Sequence, residues 1–254
     1  MKERRGAPLK HNVIRSKMKK GYPLMTDPIL SSHFPDTDWF QESSLRKMLR
    51  NHTAVYIKPD VGRKGNGVIR LKRLNRYEHE ISHGETTIIC PSKKLYSELT
   101  KMLNPKKNYL VQQGIDLATY RKRPFDVRVV LQKPLNTWRA TLMSAKIAPN
   151  ESSVVTNVAK GAKDLNVYKA INGIDQSVNR PEVLRDLLDV SHQIAQKLDS
   201  VFPLRILGLD MGIDKKGKVW FIEANTKPDN VGLENIDRKL YRKYRAAKKW
   251  MRKG

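Results

Sequence analysis

Cysteine and long apolar runs are almost absent from this sequence. Cys90 is the single cysteine among 254 residues, so no disulfide can form within the chain. Such a composition is typical of reducing compartments, and we expect a cytoplasmic protein. No stretch approaches the run of about 20 apolar residues that a membrane-spanning helix requires. The basic N-terminal segment is not followed by an apolar run, which argues against a secretory signal.

Acidic residues are also scarce beside the basic ones. The chain has 25 Asp and Glu against 50 Lys and Arg, which gives a formal net charge of +25 and an isoelectric point of about 10.1. This charge attracts polyanions such as nucleic acid, anionic membranes and acidic polymers, but it does not distinguish among them. The charge is explained equally well by a solvated basic surface that has no specific partner. The histidines show no spacing typical of a metal site.

Hydrophobic periodicity and turn residues predict a mixed protein. Residues 1–20 are basic and aperiodic, which indicates an arm, and residues 21–40 are rich in Pro, Ser and Asp, which indicates an extended segment. Helices are predicted at 43–51, 91–103 and 181–201, and strands at 54–58, 68–71, 109–112, 126–132, 138–147, 204–213 and 219–224. This order favours an α+β fold over an alternating parallel α/β fold.

A glycine-rich loop at 62–67 joins two of the predicted strands. Glycines let backbone amides approach phosphate oxygens, and Lys58, Arg63 and Lys64 add positive charge. A Walker A loop and a Rossmann turn would both lead into a helix, and a kinase loop would place its lysine after the glycines. The remaining interpretations are a flap over phosphates, with a lysine on the incoming strand, and an ordinary glycine-rich hairpin.

Oxygen-bearing side chains gather on the later hairpin. Strand alternation places Phe221, Glu223 and Asn225 on one face. A turn at 214–217 would set Asp210 opposite Phe221 and one diagonal step from Glu223. Buried carboxylates need a partner, and Mg²⁺ prefers carboxylate, amide and phosphate oxygens. Alternatively, Glu223 pairs with a lysine or arginine and Asp210 merely ends a strand.

Together these segments resemble the ATP-grasp superfamily and, more narrowly, the YheC/YheD-type proteins associated with endospore coats. The resemblance covers about His33 to Asp237 and rests on the segments HFPDTDWF, VYIKPDVGRKGNGV, LVQQGIDL, FDVRVVLQK, VVTNVAKGA and LGLDMGIDKKGKVWFIEANTKPD. It implies two α+β subdomains that hold ATP between antiparallel sheets. The expected divisions are a basic arm and extended leading segment at 1–42, a small subdomain with the glycine flap at 43–111, a large subdomain with the metal site at 112–237, and a basic amphipathic helix at 238–254.

The resemblance also implies a set of site residues. The expected ATP-binding residues are Lys58, Gly62, Arg63, Lys64, Gly65, Gly67, Gln112, Gln113, Ile115, Asp126 and Asn157. The expected catalytic residues are Arg128, Lys146 and Lys160, and the expected Mg²⁺ ligands are Asp210, Glu223 and Asn225. Two features depart from the family pattern: the chain before Lys58 is short for a separate substrate-binding domain, and Lys160 stands where arginine is usual. Both bear on the substrate more than on ATP.

The implied activity is an ATP- and Mg²⁺-dependent ligation of a carboxylate to an amine or thiol through an acyl-phosphate. A peptide or an acidic polymer would suit the positive charge as the carboxylate substrate. Two alternatives stand beside it: an ATP-binding, non-catalytic structural or assembly protein of the spore coat, and a basic nucleic-acid-binding protein. In the helix at 238–254, Leu240, Tyr244, Ala247 and Met251 form one stripe. This helix either docks onto an anionic surface or packs its stripe onto the domain.

Overall fold

The computed structural model of the chain describes residues 11–154, Thr156, 161–229 and 233–253. The helices are α1 Lys17–Met25, α2 Glu42–Asn51, α3 Leu95–Met102, α4 Val167–Asn172, α5 Arg180–Val201 and α6 Arg238–Lys253, with short 3-10 turns at Leu30–His33, Pro134–Asn136 and Leu233–Asn235. The strands are β1 Thr37–Trp39, β2 Ala54–Pro59, β3 Ile69–Arg73, β4 Glu78–His83, β5 Thr86–Pro91, β6 Tyr109–Gln113, β7 Thr119–Tyr120, β8 Arg123–Gln132, β9 Arg139–Ile147, β10 Lys163–Leu165, β11 Ile206–Ile213 and β12 Val219–Asn225.

The strands form two antiparallel sheets. The first has the order β1-β6-β2-β3-β4-β5, and the second has the order β10-β9-β8-β11-β12, with β7 paired to β8. In the first sheet, strand alternation buries Val55 and Ile57 of β2 beside Leu71 of β3. The apolar stripes of α2 and α3, which include Leu45 and Leu99, complete this smaller core.

The second sheet contains the larger core. Val127 and Val129 of β8 and Leu209 of β11 are fully buried, and α5 contributes Leu187 and Ile194 to the same cluster. Because successive strand residues point to opposite faces, the residues between these apolar positions lie on the other face. That face carries the charged residues described below.

The leading segment differs from the prediction. An extended chain at 21–40 was expected, but α1 begins at Lys17 and ends at Met25. The Ser16 hydroxyl caps this helix by accepting a hydrogen bond from the Lys19 amide at 3.0 Å. Phe34 lies so close that a Cβ on Gly21 would stand 2.8 Å from its ring. Tertiary packing therefore decides the helix here, against a local composition typical of loops.

Other differences concern short elements. The hairpin of β4 and β5 was not predicted, and Pro91 ends β5 instead of starting a helix, so α3 begins only at Leu95. The helices predicted at 43–51 and 181–201 are confirmed within two residues. Long periodic segments were thus predicted better than short strands.

The C-terminal helix α6 packs by its apolar stripe. Leu240, Tyr244 and Ala247 are buried, and α6 contacts β9 and the 3-10 turn at 134–136. The packing alternative is therefore confirmed, and binding of an anionic surface by the basic face stays a prediction. Within the described residues, none of the helices combines the length and apolarity needed to cross a membrane.

Candidate active site

A cavity of about 320 Å³ is lined by residues of both sheets. It brings together eleven of the residues predicted from sequence: Lys58, Gly62, Arg63, Gly65, Gln112, Gln113, Ile115, Asp126, Lys146, Asp210 and Glu223. Lys64, Gly67, Arg128 and Asn225 lie nearby without lining this cavity. Asn157 and Lys160 fall outside the described residues.

The most highly charged wall comes from β8, β9 and β11. Asp210 lies opposite Arg128 in the β11–β8 pairing, and Asp126 lies opposite Lys146 in the β8–β9 pairing. The Arg128 guanidinium donates from Nε to Asp210 Oδ1 at 2.7 Å and from Nη2 to Oδ2 at 3.0 Å. Lys146 Nζ donates to Asp210 Oδ1 at 2.5 Å and lies 3.4 Å from Asp126 Oδ1. Two cations therefore compensate two buried carboxylates.

The two carboxylates differ in how strongly they hold a proton. Burial alone would raise the pKa of Asp210, but the charges of Arg128 and Lys146 outweigh it and hold that pKa well below its usual range. Burial raises the pKa of Asp126, and the neighbouring Asp210 raises it further despite the charge of Lys146. The Thr156 hydroxyl donates a hydrogen bond to Asp126 Oδ2. Asp210 is thus the firmly ionised member of the pair.

Lys58 projects from β2 on the first sheet. Its Nζ donates to Gln112 Oε1 at 2.6 Å, and Gln112 Nε2 in turn donates to Thr37 Oγ1 at 2.8 Å. Burial lowers the pKa of Lys58 to about 8, although the charge of Glu223 opposes this shift. An anion bound beside Lys58 would restore its proton affinity, so the position suits a phosphate group.

The hairpin of β11 and β12 pairs differently from the prediction. Asp210 lies directly opposite Glu223 and not opposite Phe221, and two shifts of one residue account for the difference. The turn is one residue longer than predicted, since Ile213 pairs with Val219, and a β-bulge between Asp210 and Met211 leaves Ile222 as an extra residue. Phe221 therefore pairs with Met211 in the core, where its ring stacks on another aromatic side chain. The predicted shared face of Phe221 and Glu223 is wrong, and the bulge brings the two carboxylates closer than a diagonal step would.

The glycine loop adopts the backbone conformation for which glycine is needed. Gly65 and Gly67 have φ values of 68° and 72°, which other residues rarely adopt. Gly62 lies against Pro59, and a Cβ there would stand 2.9 Å from the proline ring. The loop therefore turns tightly at the edge of the cavity, with the backbone of Gly62 and Gly65 exposed to it.

An apolar slot in the cavity was not predicted in full. Ile115 was expected there, but Leu117 and Ile222 line the same region. All three side chains approach Gly212, where an added Cβ would stand 2.9 Å from Leu117 Cδ2 and 3.3 Å from Ile222 Cδ1. An apolar slot beside a charged wall suits a heterocyclic base attached to phosphates. Leu117 ends the segment LVQQGIDL, which carries part of the family resemblance, but the sequence analysis did not assign it to the site.

The segment before α1 and the first turn of that helix cross the site, and the sequence did not predict this either. Ile14 N donates to Thr226 Oγ1 at 2.9 Å, just after β12, and Met18 N donates to Asp60 Oδ1 at 2.9 Å, just after β2. Lys17 Nζ donates to the carbonyl of Pro59 at 3.0 Å and lies 3.8 Å from Glu223. These partners are distant in sequence, so no local pattern indicates them.

The donor set of Asp210, Glu223 and Asn225 fits a hard divalent cation. Asp210 and Glu223 face each other on paired strands, and Asn225 Nδ2 lies 3.4 Å from Asp210 Oδ2. Two carboxylates and a side-chain amide are oxygen donors of the kind that Mg²⁺ accepts together with phosphate oxygens. Among the described residues, His, Cys, Asp and Glu side chains do not gather in threes at a metal-sized site, so phosphate would have to complete the coordination.

The sequence is similar to two curated proteins. The chain is 29% identical to the endospore coat-associated protein YheD of Bacillus subtilis (strain 168) over 184 residues, which are 68% of this chain and 39% of YheD. It is 23% identical to YheC of the same organism over 239 residues, which are 91% of this chain and 63% of YheC. The chain thus spans less than two thirds of the length of either relative.

Solved structures resemble the fold. The C-terminal domain of K. lactis Pby1, an ATP-grasp enzyme, is 13% identical with a TM-score of 0.55 over 96% of this chain and 73% of that one. The ATP-grasp ligase PsnB, complexed with a minimal precursor, is 14% identical with a TM-score of 0.53 over 94% of this chain and 61% of that one. Carboxyaminoimidazole ribonucleotide synthase from Aspergillus clavatus, complexed with ATP, is 12% identical with a TM-score of 0.55 over 89% of this chain and 48% of that one.

At these identities the likeness concerns the fold alone, and the predicted α+β ATP-grasp fold is confirmed. The sequence itself matches the family described as "YheC/D like ATP-grasp" over residues 8–249. Because this match covers nearly the whole chain, the protein belongs to the YheC/D-like ATP-grasp family.

Proposed function

We propose that this protein is an ATP- and Mg²⁺-dependent ligase that joins a carboxylate to an amine or thiol through an acyl-phosphate. The family and the fold support ATP-dependent ligase-type activity in general. The observation that carries the finer proposal is the meeting of three groups in one cavity: the Lys58 amine, the cation-compensated Asp210 carboxylate, and Glu223 directly opposite Asp210.

The cavity supplies what phosphoryl transfer requires, namely positioning and charge neutralisation. In this proposal the adenine ring occupies the apolar slot of Ile115, Leu117 and Ile222, and the phosphates extend toward Lys58 and the glycine loop. Asp210, Glu223 and Asn225 would hold Mg²⁺, which neutralises phosphate charge when bound. Lys146 lines the same wall and adds positive charge where the γ-phosphate would lie.

The reaction has two balanced steps. A substrate carboxylate oxygen attacks the γ-phosphorus, the bond to the β-phosphate oxygen breaks, and ADP leaves. An amine or thiol then attacks the acyl carbon, loses its proton, and displaces inorganic phosphate. Water would hydrolyse the acyl-phosphate, so a glycine loop that closes over the cavity would protect it.

A second candidate rests on the relatives. YheD and YheC are named as endospore coat-associated proteins, which favours an ATP-binding structural or assembly protein without turnover. The two proposals differ in one observable, since only the first releases ADP in the presence of a suitable carboxylate and nucleophile.

ADP release by the purified chain tests the proposal. We expect Glu223→Gln and Lys58→Ala each to abolish turnover, because the first removes a metal-binding oxygen and the second a phosphate-binding cation. Glu182→Gln and Lys216→Ala, which remove the same charges at exposed positions, are the matched controls. Wild-type-like ADP release from either site variant would contradict the assignment. ATP binding without ADP release across candidate substrates would favour the structural protein.

A further inference from the structure

A second cavity adjoins the candidate metal site on its other side. It has a volume of about 400 Å³, and Glu223 lines both this cavity and the first one. Asn225 lines only the second. The two cavities therefore meet at the residues proposed to hold Mg²⁺, where the γ-phosphate of ATP would lie. We call the second cavity the basic pocket, after its lining residues Arg15, Lys20, Arg63 and Lys227.

Within the described residues, the basic side chains of the pocket form no ion pairs. None of its four basic side chains lies within 4.0 Å of a described carboxylate. Lys20 is only 3% exposed, and a buried ammonium without an ion pair is costly. Burial lowers the pKa of Lys20, although Glu223 opposes the shift. An anionic ligand in the pocket would supply the missing partner.

The segment that crosses the site builds this pocket. Arg15 lies between Ile14, which binds Thr226, and Ser16, which binds Asp60 through its hydroxyl at 3.0 Å. Both ends of this short stretch are therefore anchored, one beside β12 and one beside β2. Lys227 follows Thr226 directly in the sequence. The hydrogen bond between Ile14 and Thr226 therefore also fixes the backbone beside Lys227.

The remaining lining narrows the class of ligand. Apart from the basic residues, Glu223 and Asn225, it consists of Val13, Ile14, Val61, Gly62 and Thr226. Single-stranded nucleic acid is usually held by aromatic stacking, and this described lining contains no aromatic ring. A flexible chain with carboxylate side groups needs only cations and small apolar surfaces. Its carboxylates would pair with the basic side chains while one of them reaches the candidate metal site.

We propose that the basic pocket binds the carboxylate substrate and that this substrate is an acidic peptide carrying several carboxylates. The inference rests on the proposed ligase function, because it places the substrate carboxylate beside the γ-phosphate position. The excess positive charge of the protein would speed the encounter with such a peptide.

Fluorescence anisotropy of a labelled oligoglutamate peptide tests the proposal. The test variant is the double substitution Arg15→Gln with Lys227→Gln, and neither residue lines the cavity proposed for ATP. Its matched control is Arg185→Gln with Lys239→Gln, which removes two charges from exposed positions elsewhere. We expect the pocket variant to weaken peptide binding by at least about tenfold, since charge-assisted contacts carry such factors. The control should change binding by less than about twofold, because a general charge effect is weak and screened.

ATP affinity, measured by calorimetry on the same proteins, separates this inference from the proposed function. Intact ATP binding in the pocket variant shows that it is folded. Two results would overturn the proposed peptide site while ATP still binds: no peptide binding by the wild-type protein, or an equal loss of peptide affinity in both double variants. Either result would leave the ligase proposal unaffected. Absent ATP binding in the wild type would overturn the ligase proposal instead. An RNA oligonucleotide and inorganic phosphate serve as competitors of the peptide. If either displaces the peptide at equal concentration, and if the pocket variant no longer binds that competitor, the assignment of the pocket to carboxylates is overturned.

Discussion

Arg128 and Asp210 lie opposite each other on β8 and β11, and the guanidinium holds both oxygens of the carboxylate at 2.7 and 3.0 Å. Both side chains are largely buried, so each depends on the other for its charge compensation. Lys146 adds a second cation to the same carboxylate. The pair therefore supports the fold and, in the proposed function, keeps Asp210 ionised beside the metal.

Replacement of Arg128 by Met should destabilise the protein. The substitution leaves a buried carboxylate with one cation instead of two, and breaking a buried ion pair costs about 3–5 kcal/mol. Lys146 remains, so we expect a loss at the lower end of that range in the free energy of urea unfolding. Arg185→Met, on the exposed face of α5, is the control and should change stability by less than about 0.5 kcal/mol. Equal stability of the two variants would contradict the role of the pair.

The stabilisation from Asp210 should also depend on pH in a defined direction. The folded-state pKa of Asp210 is lowered, so the unfolded state binds the proton more readily. The contribution is fully present above the unfolded pKa of about 3.9 and is lost as the pH falls through the folded value. We expect Asp210→Asn to flatten the acid limb of the stability curve below about pH 4. An unchanged acid limb would show that Asp210 gains nothing from Arg128 and Lys146.

ATP affinity should fall as the pH rises through about 8. Lys58 has its pKa lowered to about 8 in the ligand-free protein, and bound phosphate would raise it again. Above that pH, binding must therefore take up a proton, and affinity should decrease by up to about tenfold per pH unit. Calorimetry in buffers with different ionisation enthalpies measures the uptake. Lys58→Gln should abolish it, whereas uptake that persists in Lys58→Gln would assign the proton to another group.

Gly212→Ala should weaken ATP binding because it disturbs the contact of the adenine base with the apolar slot, whereas the phosphate contacts should be unaffected. The added Cβ would stand 2.9 Å from Leu117 and 3.3 Å from Ile222, which pushes both side chains into the apolar slot. We expect a loss of at least about fivefold in ATP affinity, since overpacking of this kind costs about 1–3 kcal/mol. Inorganic triphosphate lacks the base, so its affinity should be unchanged. An equal loss for both ligands would place the base elsewhere.

Gly21→Ala should loosen α1 from the larger core. A Cβ at this position would stand 2.8 Å from the Phe34 ring, and that ring stacks on Phe221 at a centroid distance of 5.2 Å. The expected cost is about 1–3 kcal/mol in the free energy of unfolding. Tyr22→Ala, next to it but 63% exposed, is the control and should be close to neutral. A neutral Gly21→Ala would mean that α1 adjusts without strain.

Several parts of the site could be predicted because each lies within one short segment. The glycine loop follows Lys58 directly, and the spacing of Asp210, Glu223 and Asn225 belongs to a single hairpin. Their proximity to each other followed only from the family resemblance. The register of the hairpin was predicted wrongly, because the turn is one residue longer than predicted and the bulge at Ile222 adds a second shift that no local pattern indicates.

The amino-acid sequence by itself determined the α+β class, the long helices, the glycine-rich loop and the oxygen-bearing side chains, since each follows from local periodicity or residue chemistry. Only the tertiary structure decided that Arg128 and Lys146 hold Asp210, that Leu117 and Ile222 form an apolar slot, and that the segment before α1 crosses the site. These contacts join residues far apart along the chain, with Ile14 and Thr226 separated by 212 positions. Their partners are chosen by burial and charge compensation in the folded protein, which no local pattern records.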